Sequence, residues 1–365
     1  MRHIPCASCH FFDPFSSKFR DFDLFLLEGL RRGPNSGPWI RYGLTRAATM
    51  ASLAIALRLP LLLFRKPSKA RKTASKPSSE DDTPQRLLTY NELPDWYRLE
   101  ASPFITSHYR PPSHSVAKSI QSLAQLHNET ANIYTHLIPA LILAFSLPLL
   151  QLNISDAYAD APWIDRFMLT LTPIAALFTF SASANFHTLC NHSDAVSLSC
   201  LLLDFTGILT LILASFVSGI HVAFYNHPFE QKLYWTIITT LTATSALLVL
   251  HPSLQGMQYR PHRTTAFVLT VLSGLGPTFH GMYVHGVSRG WHECGVKWWA
   301  AEGCWYALGV VFFVSRWPER WAWRHEKTRG MFDVWGGSHG VFHVCVVVGA
   351  ACHCWGVWEA WTFAV

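Results

Sequence analysis

Three histidines have the spacing and the setting of metal ligands. His339 and His343 stand four residues apart in an apolar stretch near the carboxy terminus, so a helix places both imidazoles on one face, with Cβ atoms about 6 Å apart. His187 closes an earlier apolar stretch. One such pair is weak evidence in a chain with 19 histidines, but a third histidine at a similar depth favours a shared metal site. Three imidazoles leave a fourth tetrahedral position for water, which is typical of catalytic rather than structural zinc, so we expect Zn²⁺.

Two more polar residues, Asp204 and Ser183, are predicted to act beside this metal. Asp204 lies about two turns deeper than His187 in the next apolar stretch, and Ser183 lies one turn deeper than His187 in the same stretch. Both side chains are therefore predicted to hydrogen-bond the water at the metal, with Asp204 as the general base. The alternatives are a protonated, structural carboxyl for Asp204 and a helix-packing hydroxyl for Ser183.

The stretches that contain these residues belong to a set of seven apolar runs. Half of the 365 residues are hydrophobic and only 14% are charged, which is too apolar for the surface of a soluble protein. A helix needs about 20 apolar residues to cross ~30 Å of hydrocarbon, and the seven runs reach or nearly reach that length. The sequence therefore predicts an all-α integral membrane protein with seven transmembrane helices, at approximately 132–152, 167–189, 195–225, 233–250, 264–287, 298–315 and 336–358.

The interior of these runs holds few polar groups. Asp204 and Glu302 are their only Asp, Glu, Lys or Arg residues, and Glu302 is expected to reach interfacial water at the end of the sixth run. Because no second polar cluster continues a path across the bilayer, ion transport is disfavoured. Four other histidines lack a partner at helical spacing and are expected to hydrogen-bond backbone groups or water: His136, His221, His280 and His353.

The distribution of basic residues predicts the orientation in the membrane. Lys and Arg are frequent before the first run, between the fourth and fifth runs, and between the sixth and seventh runs. By the positive-inside rule the amino terminus is cytoplasmic and the carboxy terminus extracellular or lumenal, which is opposite to G-protein-coupled receptors. His187, His339 and His343 then lie at the cytoplasmic ends of their helices. The net charge of +6 does not indicate a nucleic-acid partner, because the basic residues follow no single face.

Three segments are predicted along the chain. Residues 1–88 form a basic, disordered cytoplasmic leader, in which Met50 offers an alternative start. Residues 89–130 form an amphipathic cytoplasmic approach segment, and residues 131–365 form the seven-helix transmembrane domain. Nine scattered cysteines indicate no disulfide framework. The membrane is expected to be the plasma membrane or an endomembrane.

Several motifs resemble the signature of the progestin and adipoQ receptor family. They are H-N-E-T-A-N-I-Y-T-H at 127–136, S-x-x-x-H at 183–187, D-F-T-G-I at 204–208 and F-D-x-W-G-x-S-H-x-x-x-H at 332–343. The resemblance covers about residue 88 to the carboxy terminus. The chain resembles the fungal branch, which is similar to the haemolysin III related, zinc-homeostasis proteins.

The resemblance implies a fold and a metal site. The fold is a seven-helix bundle with an inner amino terminus, and the site is a zinc ion bound by His187, His339 and His343 with Asp204 near the bound water. The family includes adiponectin receptors, which are linked to ceramide hydrolysis, and relatives described as progestin receptors or as regulators of zinc and sterol metabolism. Membership alone does not select one of these functions.

Two functions follow as expectations. The first is a zinc-containing receptor with ceramidase-like hydrolysis of a membrane lipid amide and a role in lipid and zinc homeostasis signalling. The second is a non-enzymatic receptor, in which a structural zinc ion clamps helices and an extracellular protein or steroid ligand alters their packing. The hydrolase needs a cavity for its lipid, for which four residues offer small side chains or a kink: Gly207, Gly274, Gly276 and Pro277.

Overall fold

The computed structural model describes residues 86–364. The predicted leader, 1–88, and the alternative start at Met50 therefore lie almost entirely outside the described residues. Within 86–364 the regular elements are helices, and one isolated antiparallel bridge joins Leu88 and Tyr109. The all-α prediction is confirmed.

Seven long helices form a bundle. In chain order they are α1 (Thr130–Ala157), α2 (Trp163–Leu189), α3 (Asp194–Ala223), α4 (Pro228–Val249), α5 in two parts (Arg260–Leu272 and Leu275–His285), α6 (Val296–Ser315) and α7 (Ser338–Ala364). By length and composition, all of them except α6 are apolar enough to span a membrane. α6 has 20 residues, which rise about 30 Å, but it carries Lys297 and Glu302. The protein is therefore a multi-pass integral membrane protein, and the orientation of its termini stays a prediction.

Proline and glycine mark two helix boundaries. α4 begins with Pro228, at a position where the missing N–H is not needed. α5 is interrupted at Ser273 and Gly274, and Pro277 lies in the first turn of its second part. Gly274 also permits a close approach to α3, because a Cβ there would lie 2.9 Å from Cζ of Phe216. The kink predicted in this region is present.

α2 and α3 are the most buried of the membrane-spanning helices. They meet at Gly207, where an added Cβ would lie 3.0 Å from the Cα of Thr179. Oγ1 of Thr179 also donates a hydrogen bond to the backbone oxygen of Gly207 at 2.8 Å. α1, in contrast, turns large apolar side chains such as Phe145 and Leu149 outwards, as a lipid-facing surface requires.

The approach segment packs against one end of the bundle. It contains two short helices, Asp95–Arg98 and Val116–Gln121. The rings of Tyr97 and Tyr109 are buried there beside Cys190, which directly follows α2. Burial raises the pKa of the Cys190 thiol to about 12, so this thiol stays protonated.

Polar contacts fix the approach segment in place. Asp333, between α6 and α7, accepts hydrogen bonds from the backbone and side chains of Thr106 and Ser107. The guanidinium group of Arg110 donates to the backbone oxygen of His187 at 2.6 Å. The last turn of α2 is therefore held by a charged group from the segment that precedes α1.

Candidate metal centre

The imidazoles of His187, His339 and His343 converge at one end of the bundle, which we call the histidine end. His187 lies in the last turn of α2, and His339 and His343 lie in the first two turns of α7. One ligand nitrogen from each ring lies within 4.8 Å of the others, and Nε2 of His187 is 3.2 Å from Nε2 of His339. Two nitrogens that each lie about 2.0 Å from a tetrahedral zinc ion are about 3.3 Å apart. The arrangement therefore fits a shared metal ion.

The other ring nitrogens of two histidines are held by α1 and by the residue before it. Nδ1 of His187 donates to Oε2 of Glu129 at 2.8 Å. Nδ1 of His343 lies 3.1 Å from the backbone oxygen of Asn132 and 3.1 Å from Oγ1 of Thr135. Histidines that bind metals commonly donate their second N–H to a carboxylate or a carbonyl, which fixes the tautomer. With Nδ1 engaged in this way, the free lone pair of each ring is on Nε2, and Nε2 of His187 faces Nε2 of His339.

Glu129 is a buried carboxylate with several partners. The side-chain amides of Asn128 and Asn132 donate to it at 2.6 and 2.8 Å. Burial acts to raise the pKa of Glu129, but hydrogen bonds from His187 and Asn132 and the charge of Arg110 outweigh burial and lower the pKa to about 2. Glu129 is therefore ionised at neutral pH and orients His187 as a ligand.

Sequence reasoning did not identify Glu129, Asn132 and Thr135 as site residues. These residues follow one another at intervals of three positions, which puts their side chains on one face at the start of α1. This spacing is the sequence pattern that could have identified them. The spacing alone does not show which histidines they contact. Glu129 is 58 residues from His187, and Thr135 is 208 residues from His343.

Asp204 and Ser183 lie beside the histidine cluster. Ser183 is one turn before His187 on α2 and is buried, and its hydroxyl interacts with the carboxyl group of Asp204 on α3. In the part of the chain that the structure describes, Asp204 is not among the ligand atoms that lie within 4.8 Å of one another. Both residues line the same cavity as the three histidines. This position suits a proton acceptor near a metal better than a fourth ligand.

The four remaining candidate histidines have different surroundings from those expected. His136 stacks on the ring of His343 with centroids 3.8 Å apart, and neither of its nitrogens has a hydrogen-bond partner within residues 86–364. The expectation of backbone or water partners is wrong for the others, because side chains from distant parts of the sequence reach them. The pairs are His221 with Asp165 at 2.8 Å, His280 with Tyr234 at 3.0 Å and His353 with Glu302 at 2.8 Å.

The Glu302 side chain faces the interior of the bundle. Its side chain is 13% exposed and pairs with His353. Nε2 of His353 lies 3.3 Å from Oγ of Ser218, which lies 2.8 Å from Oγ1 of Thr172. The expectation that the Glu302 carboxylate reaches interfacial water is wrong, because it is paired with His353 inside the bundle. The statement that the bundle lacks a second polar cluster, on which the argument against transport depended, is also wrong.

A large cavity extends from the histidine cluster into the bundle. Its volume is about 1110 Å³. Gly274 and Pro277 lie on its wall as predicted, whereas Gly207 and Gly276 do not. Gly207 instead serves the contact between α2 and α3. Apolar side chains from α3, α5 and α6 form much of the wall, among them Leu201, Ile212, Phe216, Phe267, Val271 and Val310.

Comparison with known proteins assigns the family. The haemolysin-III related family matches residues 124–354, which is more than half of the chain. The match includes the three histidines, Asp204 and Glu129. The chain belongs to the haemolysin-III related family.

Relatives of this haemolysin-III related protein occur in fungi, animals and plants. It is 32% identical over 269 residues to the ADIPOR-like receptor IZH2 of Saccharomyces cerevisiae, which covers 74% of this chain and 82% of the yeast protein. It is 30% identical over 274 residues to the adiponectin receptor protein of Drosophila melanogaster, covering 75% and 59% of the two chains. It is 29% identical over 324 residues to the heptahelical transmembrane protein ADIPOR1 of Oryza sativa subsp. japonica, covering 73% and 82%. These matches confirm the resemblance to the progestin and adipoQ receptor family, and the yeast relative fits its fungal branch.

Proposed function

We propose that this membrane protein of the receptor family binds Zn²⁺ through His187, His339 and His343 and hydrolyses the amide bond of a ceramide-like lipid. Its role would link lipid and zinc homeostasis signalling. The observation that carries the proposal is the convergence of three imidazoles beside the buried Asp204 on the wall of a cavity inside the bundle. Three protein ligands with an open fourth position are the arrangement of catalytic zinc.

Zinc is favoured by the chemistry of the donor set. Imidazole nitrogen suits zinc, and within residues 86–364 the cluster contains neither a thiolate nor a carboxylate ligand. Zinc held there would polarise the amide carbonyl and make water nucleophilic at neutral pH. Glu129 would keep His187 in the tautomer that binds metal.

Asp204 carries the proton transfers in this proposal. Water attacks the carbonyl carbon as the Asp204 carboxylate takes one of its protons, and that proton passes to the amide nitrogen as the C–N bond breaks. The products are a fatty acid and a sphingoid base. Ser183, whose hydroxyl interacts with the Asp204 carboxyl group, would hold that group in position. Asp204 and Ser183 are thus the proposed catalytic residues.

The cavity supports a lipid as the substrate. Its volume of about 1110 Å³ exceeds the range of roughly 300–1,000 Å³ that is usual for small-molecule sites. The alkyl chains of a membrane lipid match this wall, because they pass from the apolar bilayer to apolar side chains without exposing hydrocarbon to water. A small, water-soluble amide would leave most of the wall uncovered.

The test measures zinc content and fatty-acid release from ceramide on the same purified preparations. Wild type is expected to hold about one zinc ion per chain and to release fatty acid. Asp204→Asn is expected to keep zinc and lose about a hundredfold or more in kcat, because an amide does not accept the proton. Asp165→Asn is the matched control, since Asp165 is also buried in the bundle but does not line the cavity. Zinc without release of fatty acid from any lipid amide would contradict the hydrolase.

A second function, a non-enzymatic receptor with a structural zinc ion, is favoured by the contacts around the cluster. The ligands come from α2 and α7, and His343 is hydrogen-bonded to α1, so a metal ion would clamp three helices. The yeast and Drosophila relatives are named receptors. An extracellular protein or steroid ligand would then signal by changing helix packing. Zinc without turnover, together with a large loss of thermal stability on chelation, would select this function.

A further inference from the structure

Two buried histidine–carboxylate pairs lie away from the histidine end. Nδ1 of His353 is 2.8 Å from Oε2 of Glu302, and Nε2 of His221 is 2.8 Å from Oδ1 of Asp165. The chemistry of the two pairs is the same, and all four side chains are mostly or fully buried. Their positions differ, because Glu302 and His353 lie on the cavity wall and Asp165 and His221 do not.

In the pair away from the cavity, both carboxylate oxygens accept hydrogen bonds from protein side chains. Oδ1 of Asp165 accepts from His221, and its Oδ2 accepts from the hydroxyl of Tyr225 at 2.7 Å. The contacts join the beginning of α2 to the end of α3. Asp165 is 1% exposed, so a ligand has no access to it. This pair has a structural role.

In the pair on the cavity wall, residues of α3 contact the His353 ring. Ser218 holds Nε2 of His353 at 3.3 Å, and Gly219 leaves space for the ring, since an added Cβ would lie 3.4 Å from its Cε1. The hydrogen bond from His353 falls on Oε2 of Glu302, and the hydroxyl of Tyr306 also interacts with the carboxylate. A carboxylate accepts about four hydrogen bonds, so Glu302, which lines the cavity, retains acceptor capacity beyond these contacts.

No lysine or arginine pairs with Glu302 in the described part of the chain. Across residues 86–364, the ion-pair partner of Glu302 is His353, and Lys297 on the same helix is paired with Glu359 at 2.9 Å. A carboxylate inside a membrane-spanning bundle is costly and commonly marks a site of function. The ligand that complements a carboxylate on an apolar wall is a cation with a long apolar body.

The distance to the metal centre leaves space for such a body. His353 is ten residues after His343 on α7, which corresponds to about 15 Å along the helix axis. Apolar residues such as Val346 and Val310 line the cavity between the two sites.

We propose that Glu302, positioned by His353, binds the ammonium group of a long-chain amine whose hydrocarbon chain lies in the cavity. The amine site is separate from the metal centre and does not depend on hydrolysis. If the proposed function holds, an amine of this class is one of the two products of ceramide cleavage. Only this link between the amine and ceramide cleavage rests on the proposed function.

The test measures binding of tritiated hexadecylamine to the purified full-length protein in nanodiscs, with protein-free nanodiscs subtracted. Unlabelled hexadecylamine and hexadecanol compete for the site, and they share a chain length. Wild type is expected to prefer the amine by about tenfold or more, equivalent to ~1.4 kcal/mol, because the ammonium group makes a charge-assisted hydrogen bond that the hydroxyl group of hexadecanol does not. Glu302→Gln is expected to abolish the preference, and Asp165→Asn is expected to keep it.

A second variant covers the case in which Glu302→Gln does not fold. Gly303 lines the cavity next to Glu302, and a Cβ added there meets no atom within 4 Å, so Gly303→Leu is compatible with the helix. It is expected to weaken amine binding by occupying space beside the carboxylate. The proposal is overturned if wild type does not prefer the amine, if Glu302→Gln retains the preference, or if folded Asp165→Asn loses it to the same extent. Where Glu302→Gln does not fold, it is overturned if Gly303→Leu binds the amine as tightly as wild type. Because binding is measured without turnover, a failure of the hydrolase proposal leaves this result interpretable.

Discussion

Histidines meet different conditions in two regions of the same cavity. At the histidine end, the Nε2 atoms of His187 and His339 approach to 3.2 Å, while Glu129 holds Nδ1 of His187. Further along α7, His353 has one nitrogen bonded to Glu302 and the other near a serine hydroxyl. Both regions are buried, so burial does not distinguish them. A histidine is available to a metal when its hydrogen-bond partners leave one ring nitrogen free.

The largest expected effect comes from replacing one histidine of each region by glutamine, in two separate variants. His343→Gln is expected to reduce zinc from about one ion per chain to near zero, because two imidazoles and no thiolate remain. His353→Gln is expected to keep the zinc content of wild type. Metal analysis of the monodisperse, purified proteins gives both values. Equal zinc loss in the two variants would contradict the account that only the histidine end binds the metal.

The carboxylate partners of the two regions provide the next comparison. Glu129→Gln is expected to weaken zinc binding by about 10–100-fold, because His187 loses a charged acceptor that fixes its tautomer. Glu302→Gln changes the carboxylate of the other region and is expected to leave zinc affinity within a factor of about two, since His353 is not one of the three proposed ligands. Competition with a chromophoric zinc chelator measures both affinities. An unchanged zinc affinity in Glu129→Gln would show that this carboxylate does not influence metal binding.

A smaller effect is expected from the hydroxyl beside Asp204. Ser183→Ala removes the group that interacts with the Asp204 carboxyl, so kcat for ceramide hydrolysis is expected to fall by about tenfold, equivalent to ~1.4 kcal/mol, with KM and zinc content unchanged. Ser245→Ala is the control, because Ser245 is a buried serine that hydrogen-bonds Thr270 away from the site. A rise in KM with constant kcat would instead give Ser183 a role in substrate binding.

The last comparison concerns stability and the contact between α2 and α3 at Gly207 and Thr179. Gly207→Ala places a methyl group 3.0 Å from the backbone of Thr179 and is expected to destabilise the fold by about 1–3 kcal/mol. Gly303→Ala adds the same group in open space and is expected to stabilise the fold by up to ~1 kcal/mol, because alanine favours a helix more than glycine does. Thermal unfolding in one detergent compares the two variants. An equal melting temperature for both would show that the α2–α3 contact has freedom to adjust.

The sequence predicts the parts of this account that depend on local periodicity. Each of the seven apolar runs overlaps a helix, and the spacing of His339 and His343 puts both on one face at the start of α7. Asp204 and Ser183 are predicted beside His187 because helical rise converts sequence distance into depth. The structure brings these five residues to one cavity.

The sequence does not predict the pairs that join different helices. Glu302 is read as interfacial because its position near a helix end does not show that it faces α7, where His353 lies 51 residues away. Asp165 lies just outside an apolar run, and its contact with His221 likewise depends on how α2 and α3 are rotated. Rotation of a helix about its axis is set by packing against its neighbours, which a single periodic pattern does not contain.

X-ray absorption spectroscopy at the zinc edge of the purified wild-type protein tests the metal centre most directly. The account predicts about one zinc ion per chain with four nitrogen or oxygen ligands at about 2.0–2.1 Å and the multiple-scattering pattern of three imidazoles. A sulfur ligand at about 2.3 Å would place zinc elsewhere in the chain. The absence of bound zinc after purification without chelators would contradict the metal assignment.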